Sequence, residues 1–283
     1  MTDDRTQARC VAELQAGDAE DLALAHCLAD VADAITLVRF RALDLQVSAK
    51  PDLTPVSDAD LAVERSLRQL LSEQRPGDAV LGEEQGATGT GPRQWVIDPI
   101  DGTKNFVRGV PVWATLIALQ IDGRVEIGVI SAPALGRRWW AARGHGAWAG
   151  RVPADGVRIR VSTVAQVEDA HLSYSSLPGW QAQHRLAGLL ALSERCWRTR
   201  AFGDFWSHVL VAEGAVDASF EPEVSLWDLA ALQVVVEEAG GRFTDLAGRA
   251  VPDGGSVVCS NGLLHGEVLA ALQPARLADR PPG

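Results

Sequence analysis

Trp95-Val96-Ile97-Asp98-Pro99-Ile100-Asp101-Gly102-Thr103-Lys104-Asn105-Phe106 runs from an apolar strand into a polar turn. The strand delivers Asp98 and Asp101 to its C-terminal end, where Pro99 cannot donate to a ladder and Gly102 lets the backbone turn tightly. Carboxylates three residues apart at such a turn can converge on one hard cation. If a helical turn starts at Gly102-Thr103, its N–H groups and dipole make an anion site beside those acids.

Other acids stand at element ends elsewhere in the chain. Gly82-Glu83-Glu84 closes a short strand, Asp58 follows the turn-like Thr54-Pro55 at a helix start, and Trp227-Asp228 opens a helix. Gathered together they form an oxygen cage suited to Mg²⁺, which prefers carboxylates, carbonyls and waters to His or Cys. Two such ions would bind phosphate oxygens, lower the pKa of a bridging water and stabilise a leaving alkoxide. Plainer readings stand beside this one: Asp98 and Asp101 as turn residues, Asp58 and Thr103 as caps, Asp228 as a helix-start acid. Glu84 is read as a neighbour of the ligand set rather than a member.

Around these residues, apolar positions Leu22, Ala25, Leu28, Ala29, Ala32, Ile35 and Val38 recur at helical spacing and predict one helix from Asp18 to Leu45. A second helix is expected from Ser57, its N-cap, to Glu73, ahead of Pro76-Gly77. Short β-type runs follow at Ala79–Leu81, Gln94–Ile97, Val112–Ile121 and Val125–Ser131, the last two joined by Asp122-Gly123, a strong hairpin signal. Beyond them come strands near Arg158–Val161 and His171–Tyr174, helices near Gln181–Ser193, Asp204–Glu213 and Leu226–Ala239, strands near Gly241–Thr244 and Ser256–Cys259, and a closing helix from Gly262 to Leu272. This order predicts a layered α/β or α+β architecture. Trp139 and Trp140, adjacent on a strand, must face opposite sides. Residues 1–17 and 274–283 are expected to be frayed tails.

The chain has 283 residues, enough for a large core, and its 26 basic against 37 acidic residues give a net charge of −11, unsuited to a nucleic-acid backbone. Its four cysteines, Cys10, Cys27, Cys196 and Cys259, lie far apart and read as reduced thiols in a cytoplasmic protein. The six histidines show no paired metal-ligand spacing and read as surface or supporting groups. No apolar run approaches the roughly 20 residues of a membrane span, and no secretory signal follows Met1.

Asp98 to Phe106, Gly82-Glu83-Glu84, Trp227-Asp228 and Glu237-Glu238-Ala239-Gly240-Gly241 together resemble the inositol monophosphatase family, in order and spacing over roughly residues 20 to 270. Within it the chain is most similar to the histidinol-phosphatase branch, its actinobacterial members especially. The segments that carry this are Lys50 to Asp58, Lys104 to Trp113, Arg138 to Gly144 and Gly203-Asp204-Phe205. The resemblance implies a layered αβαβα sandwich of the sugar-phosphatase type, with an amino-terminal part from 18 to 150, a carboxy-terminal part from 151 to 273, and the site between them. It implies that Glu83, Asp98, the carbonyl of Ile100, Asp101 and Asp228 hold two or three Mg²⁺ ions. Asp58 and Thr103, with Glu83, would direct the attacking water; the amides of Gly102 and Thr103 would bind phosphate; Asp204 and Glu221 would contact the organic part of the substrate. Those two acids suit histidinol, which carries an ammonium and an imidazole, better than a neutral polyol. The implied protein is a cytoplasmic homodimer that hydrolyses L-histidinol phosphate. The alternatives are an inositol-1-phosphate or broad-specificity monophosphatase, and a non-catalytic relative that binds a phosphorylated ligand.

Overall fold

A computed structural model describes residues 16–51 and 53–274. Cys10, Asp52 and most of the expected tails lie outside the described residues, whereas residues 16 and 17 belong to the first helix. In chain order the elements are α1 (Ala16–Arg39), β1 (Val47–Ala49), β2 (Pro55–Ser57), α2 (Asp58–Gln74), β3 (Ala79–Gly82), β4 (Gly86–Thr88), β5 (Arg93–Asp101), α3 (Thr103–Val107), β6 (Ala114–Ile121), β7 (Arg124–Ala132), β8 (Arg137–Ala142), β9 (Ala147–Gly150) and β10 (Val157–Ile159). Then follow β11 (His171–Tyr174), α4 (Leu177–Ala182), α5 (Leu186–Arg195), β12 (Arg198–Arg200), α6 (Asp204–Ala212), β13 (Ala218–Glu221), α7 (Leu226–Glu238), β14 (Arg242–Thr244), β15 (Val257–Ser260) and α8 (His265–Ala271).

Two large sheets organise the molecule, an eight-stranded one in the order β10-β9-β8-β7-β6-β5-β3-β4 and a five-stranded one in the order β12-β11-β13-β15-β14. The apolar stripes of α1 (Leu22, Ala25, Leu28, Ala29, Ala32) and α2 (Val63, Leu67, Leu71) bury against one face of the first sheet, with Trp95, Ile97, Ile117 and Trp140. Its other face packs on α6 and α7, which also touch Phe243, Val257 and Cys259 of the second sheet. The second sheet's far side is closed by Trp180, Leu189, Leu192 and Val268 of α4, α5 and α8. The layers therefore run α-β-α-β-α. Gly128 on β7 makes the central contact tight: an added Cβ would lie 2.6 Å from the carbonyl oxygen of Ala231 on α7.

Most elements fall where the spacing places them, and the departures have local causes. Asp122 and Gly123 both take positive φ (51° and 78°), as a two-residue hairpin turn requires. The first helix stops at Arg39 rather than Leu45, because Arg41 turns to φ 61° and Phe40 leaves the α1 stripe to pack with Phe106 and Trp113. The helix expected over Gln181–Ser193 is two, broken at His184 (φ 56°). The first sheet runs past Gly150 to Ile159, so the division expected there lies inside the sheet. Trp139 and Trp140 do face opposite ways, one toward α7 and one toward α1, and both are core. Trp95, Trp113 and Trp180 are buried as well, whereas Trp197 is exposed, at 67%.

Candidate active site

At the C-terminal end of β5 the ladder with β6 shifts between Asp98 and Asp101, so Pro99 and Ile100 form a bulge. Thr115 donates to the Pro99 carbonyl at 2.8 Å, and the Ile100 amide donates to Asp98 Oδ1 at 3.0 Å. The bulge brings Asp98 and Asp101 to one side. Asp101 Oδ2 also accepts the Phe205 amide at 2.7 Å, which ties the start of α6 to this turn. Asp228, at the start of α7, takes the Ser225 amide on Oδ2 at 2.6 Å, so it serves as a helix-start acid and still presents a carboxylate to the same point. Oxygens of Asp98, Asp101 and Asp228 lie within 4.8 Å of one another. They open on a cavity of about 700 Å³ whose walls include Glu83, Ile100, Gly102, Thr103, Asp204 and Glu221.

Gly102 caps α3 at φ 82°, and an added Cβ would meet the Val112 carbonyl at 3.1 Å and Asp204 Oδ2 at 3.3 Å, so both conformation and space require glycine. Thr103 follows it, with Oγ1 donating to the Ile100 carbonyl at 2.9 Å. Asp204 opens α6 with φ 47°, held beside Asn105 Nδ2 at 3.4 Å. Glu221 ends β13, its Oε1 2.9 Å from His208 Nε2. Glu83 follows β3 with its amide on the Ile97 carbonyl, and its carboxylate pairs with Lys50 Nζ at 2.7 Å. It faces the cavity, paired with that lysine and in hydrogen-bond contact with Asp98.

Asp58 does not reach the site. Its carboxylate pairs with Arg39 at 2.7 Å on the outer side of α2, because a residue at the first helical position points away from the turn that Ser57 caps. Asp60, two residues on, turns inward toward Thr103 instead. That side chain is fully buried, with Oδ2 accepting from Ser57 (2.8 Å from its amide, 2.5 Å from its hydroxyl) and Oδ1 3.4 Å from Thr103 Oγ1. The spacing of three between Ser57 and Asp60, the capping-box signature, is the sequence signal that Asp60 turns inward.

Residues 19–277 match the sequence model of the Inositol monophosphatase family. The chain belongs to that family. As an inositol monophosphatase family member it is a phosphoric monoester hydrolase. A histidinol-phosphatase of Mycobacterium tuberculosis is 61% identical to this family member over 255 residues, spanning 89% of this chain and 98% of that protein. One of Streptomyces coelicolor is 58% identical over 257 residues, spanning 89% and 97%. A solved inositol monophosphatase from Zymomonas mobilis matches with a TM-score of 0.80 at 31% identity, covering 91% of this chain and 99% of that one.

The electrostatics of this family member's acids fit a metal centre. Burial, with the charges of Glu83, Asp101 and Asp228, holds the Asp98 carboxyl well above the usual range, and burial with Asp204 and Asp228 does the same to Asp101. Asp228 is pushed up to about 7 by burial, Glu83 and Glu221. Among the described residues no lysine or arginine pairs with any of the three, so only backbone amides offset their mutual repulsion. Hard oxygen donors in such an array suit a divalent cation such as Mg²⁺ or Ca²⁺. Asp60 is pushed up to about 6, chiefly by burial and opposed by its bonds to Ser57. Asp204 also rises to about 6 through burial and Glu221, against the pull of Lys104 and His208.

Four of the six histidines, His26, His171, His208 and His265, are buried, not surface groups. Lone histidines on apolar faces carry no spacing signal, so only the fold reveals that His208 reaches the site. No helix among the described residues is long and apolar enough to cross a membrane.

Proposed function

We propose that this family member hydrolyses L-histidinol phosphate to L-histidinol and inorganic phosphate, with two or three Mg²⁺ ions held by Glu83, Asp98, the Ile100 carbonyl, Asp101 and Asp228. The observation that carries the reading is the meeting of Asp98, Asp101 and Asp228 oxygens within 4.8 Å at the wall of a cavity that also holds Asp204 and Glu221. Bound Mg²⁺ would neutralise the phosphate oxygens and lower the pKa of the attacking water. The chain's own residues do the rest. With its hydroxyl proton turned from the Ile100 carbonyl to Asp60 Oδ1, Thr103 Oγ1 accepts a hydrogen bond from that water and relays the proton to Asp60, whose pKa of about 6 suits a base near neutral pH. The Gly102 and Thr103 amides, at the start of α3, receive the phosphate.

Asp204 and Glu221 supply the selectivity. Two carboxylates in a partly enclosed cavity attract the cationic end of an amino-alcohol ester and give a neutral polyol nothing equivalent. The histidinol-phosphatases described above, similar over nearly their whole length, support the same substrate. We place the enzyme in the cytoplasm as a homodimer, the first supported by unpaired thiols at Cys27, Cys196 and Cys259. Phosphate release from L-histidinol phosphate and from inositol-1-phosphate, measured side by side with Mg²⁺, tests the assignment. The histidinol ester is expected to have the higher kcat/KM, and the opposite order would overturn the substrate.

A further inference from the structure

Four residues beyond Asp204, on the same side of α6, stands His208, 1% exposed. Its ring is gripped from three directions. Nε2 lies 2.9 Å from Glu221 Oε1, and Nδ1 lies 2.7 Å from Ser219 Oγ and 3.3 Å from Cys259 Sγ. Ser219 and Glu221 are two apart on β13 and so share a face, while Cys259 on β15 is the register partner of Ser219. The ring thus fills the space between α6 and the β13–β15 pair in one orientation. An ionised Glu221 only accepts, so Nε2 must carry a proton and donate to it; Ser219 can donate to or accept from Nδ1 in either charge state of the ring.

We propose that His208 is a positioning residue for substrate selection: its Nε2–H holds the Glu221 carboxylate beside Asp204, so that the two acids form one receptor for the cationic end of an amino-alcohol phosphate. This rests on the histidinol phosphate reading above. Burial works against a charged ring, but Cys259 and Glu221 outweigh it, and the His208 pKa is pushed up to about 10. The ring lies beneath the two neighbouring acids, and Asp204 is itself drawn down by His208. Without it, Glu221 loses the donor that fixes its orientation, and the receptor loses its shape.

The test compares kcat/KM for L-histidinol phosphate with that for β-glycerophosphate, whose alcohol is uncharged, in wild type, His208→Leu, His208→Gln and Ser219→Ala with Mg²⁺. Loss of a hydrogen bond to a charged group corresponds to roughly tenfold to hundredfold. His208→Leu is expected to lower the ratio by that factor, mainly through KM for the histidinol ester. His208→Gln, whose amide N–H reaches about as far as Nε2, restores most of it. Should the leucine variant fail to fold, Ser219→Ala, which loosens the far side of the ring, is expected to shift the same ratio by about threefold to tenfold. An unchanged ratio in the folded variants, or proportional loss on both esters, overturns the role of His208. A wild type that turns over β-glycerophosphate as readily as the histidinol ester overturns the substrate reading beneath it.

Discussion

Replacing Asp98 with Asn should raise the stability of the metal-free protein while abolishing its turnover. The asparagine keeps the Oδ1 acceptor that takes the Ile100 amide, so the bulge survives. What it removes is charge. Two unit charges 4.8 Å apart repel by about 3.5 kcal/mol at an effective dielectric constant of about 20, and Asp98 has such neighbours in Asp101 and Asp228. The native protein avoids part of that repulsion by holding a proton, but the unfolded chain ionises freely above 3.8, which shifts the balance against folding by about 1.4 kcal/mol per pH unit until the native group ionises too. Both routes give roughly 2–4 kcal/mol at neutral pH, or a rise of about 5–10 °C in Tm. The sign follows from a native pKa above the unfolded one: the gain vanishes below about pH 4, where both states are protonated, and grows as pH rises. Differential scanning calorimetry after chelation measures it, and adding Mg²⁺ should stabilise the wild type far more than the variant. A metal-free Asp98→Asn protein that melts below wild type at pH 7, or that still releases phosphate, would refute the reasoning.

Asp60→Asn should lower kcat by about 10²–10⁴, whereas Asp58→Asn should leave it within about threefold, which steady-state assays of the two variants will distinguish. As pH falls through about 6, Asp204 becomes protonated, so KM for L-histidinol phosphate should rise relative to KM for β-glycerophosphate, a trend absent in Asp204→Asn. Dividing one KM by the other cancels the ionisation common to both phosphate groups. Gly128→Ala forces a methyl to within 2.6 Å of the Ala231 carbonyl and should destabilise the fold by about 1–3 kcal/mol or prevent folding, read from urea midpoints.

The layered architecture was legible because α1 and α2 show apolar stripes at helical spacing and because Asp122-Gly123 announces its hairpin. So were Asp98, Asp101 and Asp228, each placed by a local device, a Pro-Ile bulge or a helix start, that the chain spells out within a few residues. What stayed hidden depends on contacts between distant segments. Asp58 and Asp60 both stand in the first turn of α2; the capping-box spacing from Ser57 marks Asp60, but the pairing that holds Asp58 outward comes from Arg39 on α1. Lys50 bridges to Glu83 across a two-stranded hairpin, β1 with β2, whose weakly patterned residues gave no strand signal. His208 meets Glu221 through the packing of a helix on a sheet, a relation with no sequence spacing at all.

The central claim is that the gathered acids work through a divalent cation, and a Mg²⁺ titration of chelator-treated protein tests it most directly. With L-histidinol phosphate as substrate, phosphate release should be absent after chelation and return saturably as Mg²⁺ is added. Full activity in the presence of excess chelator would contradict the account.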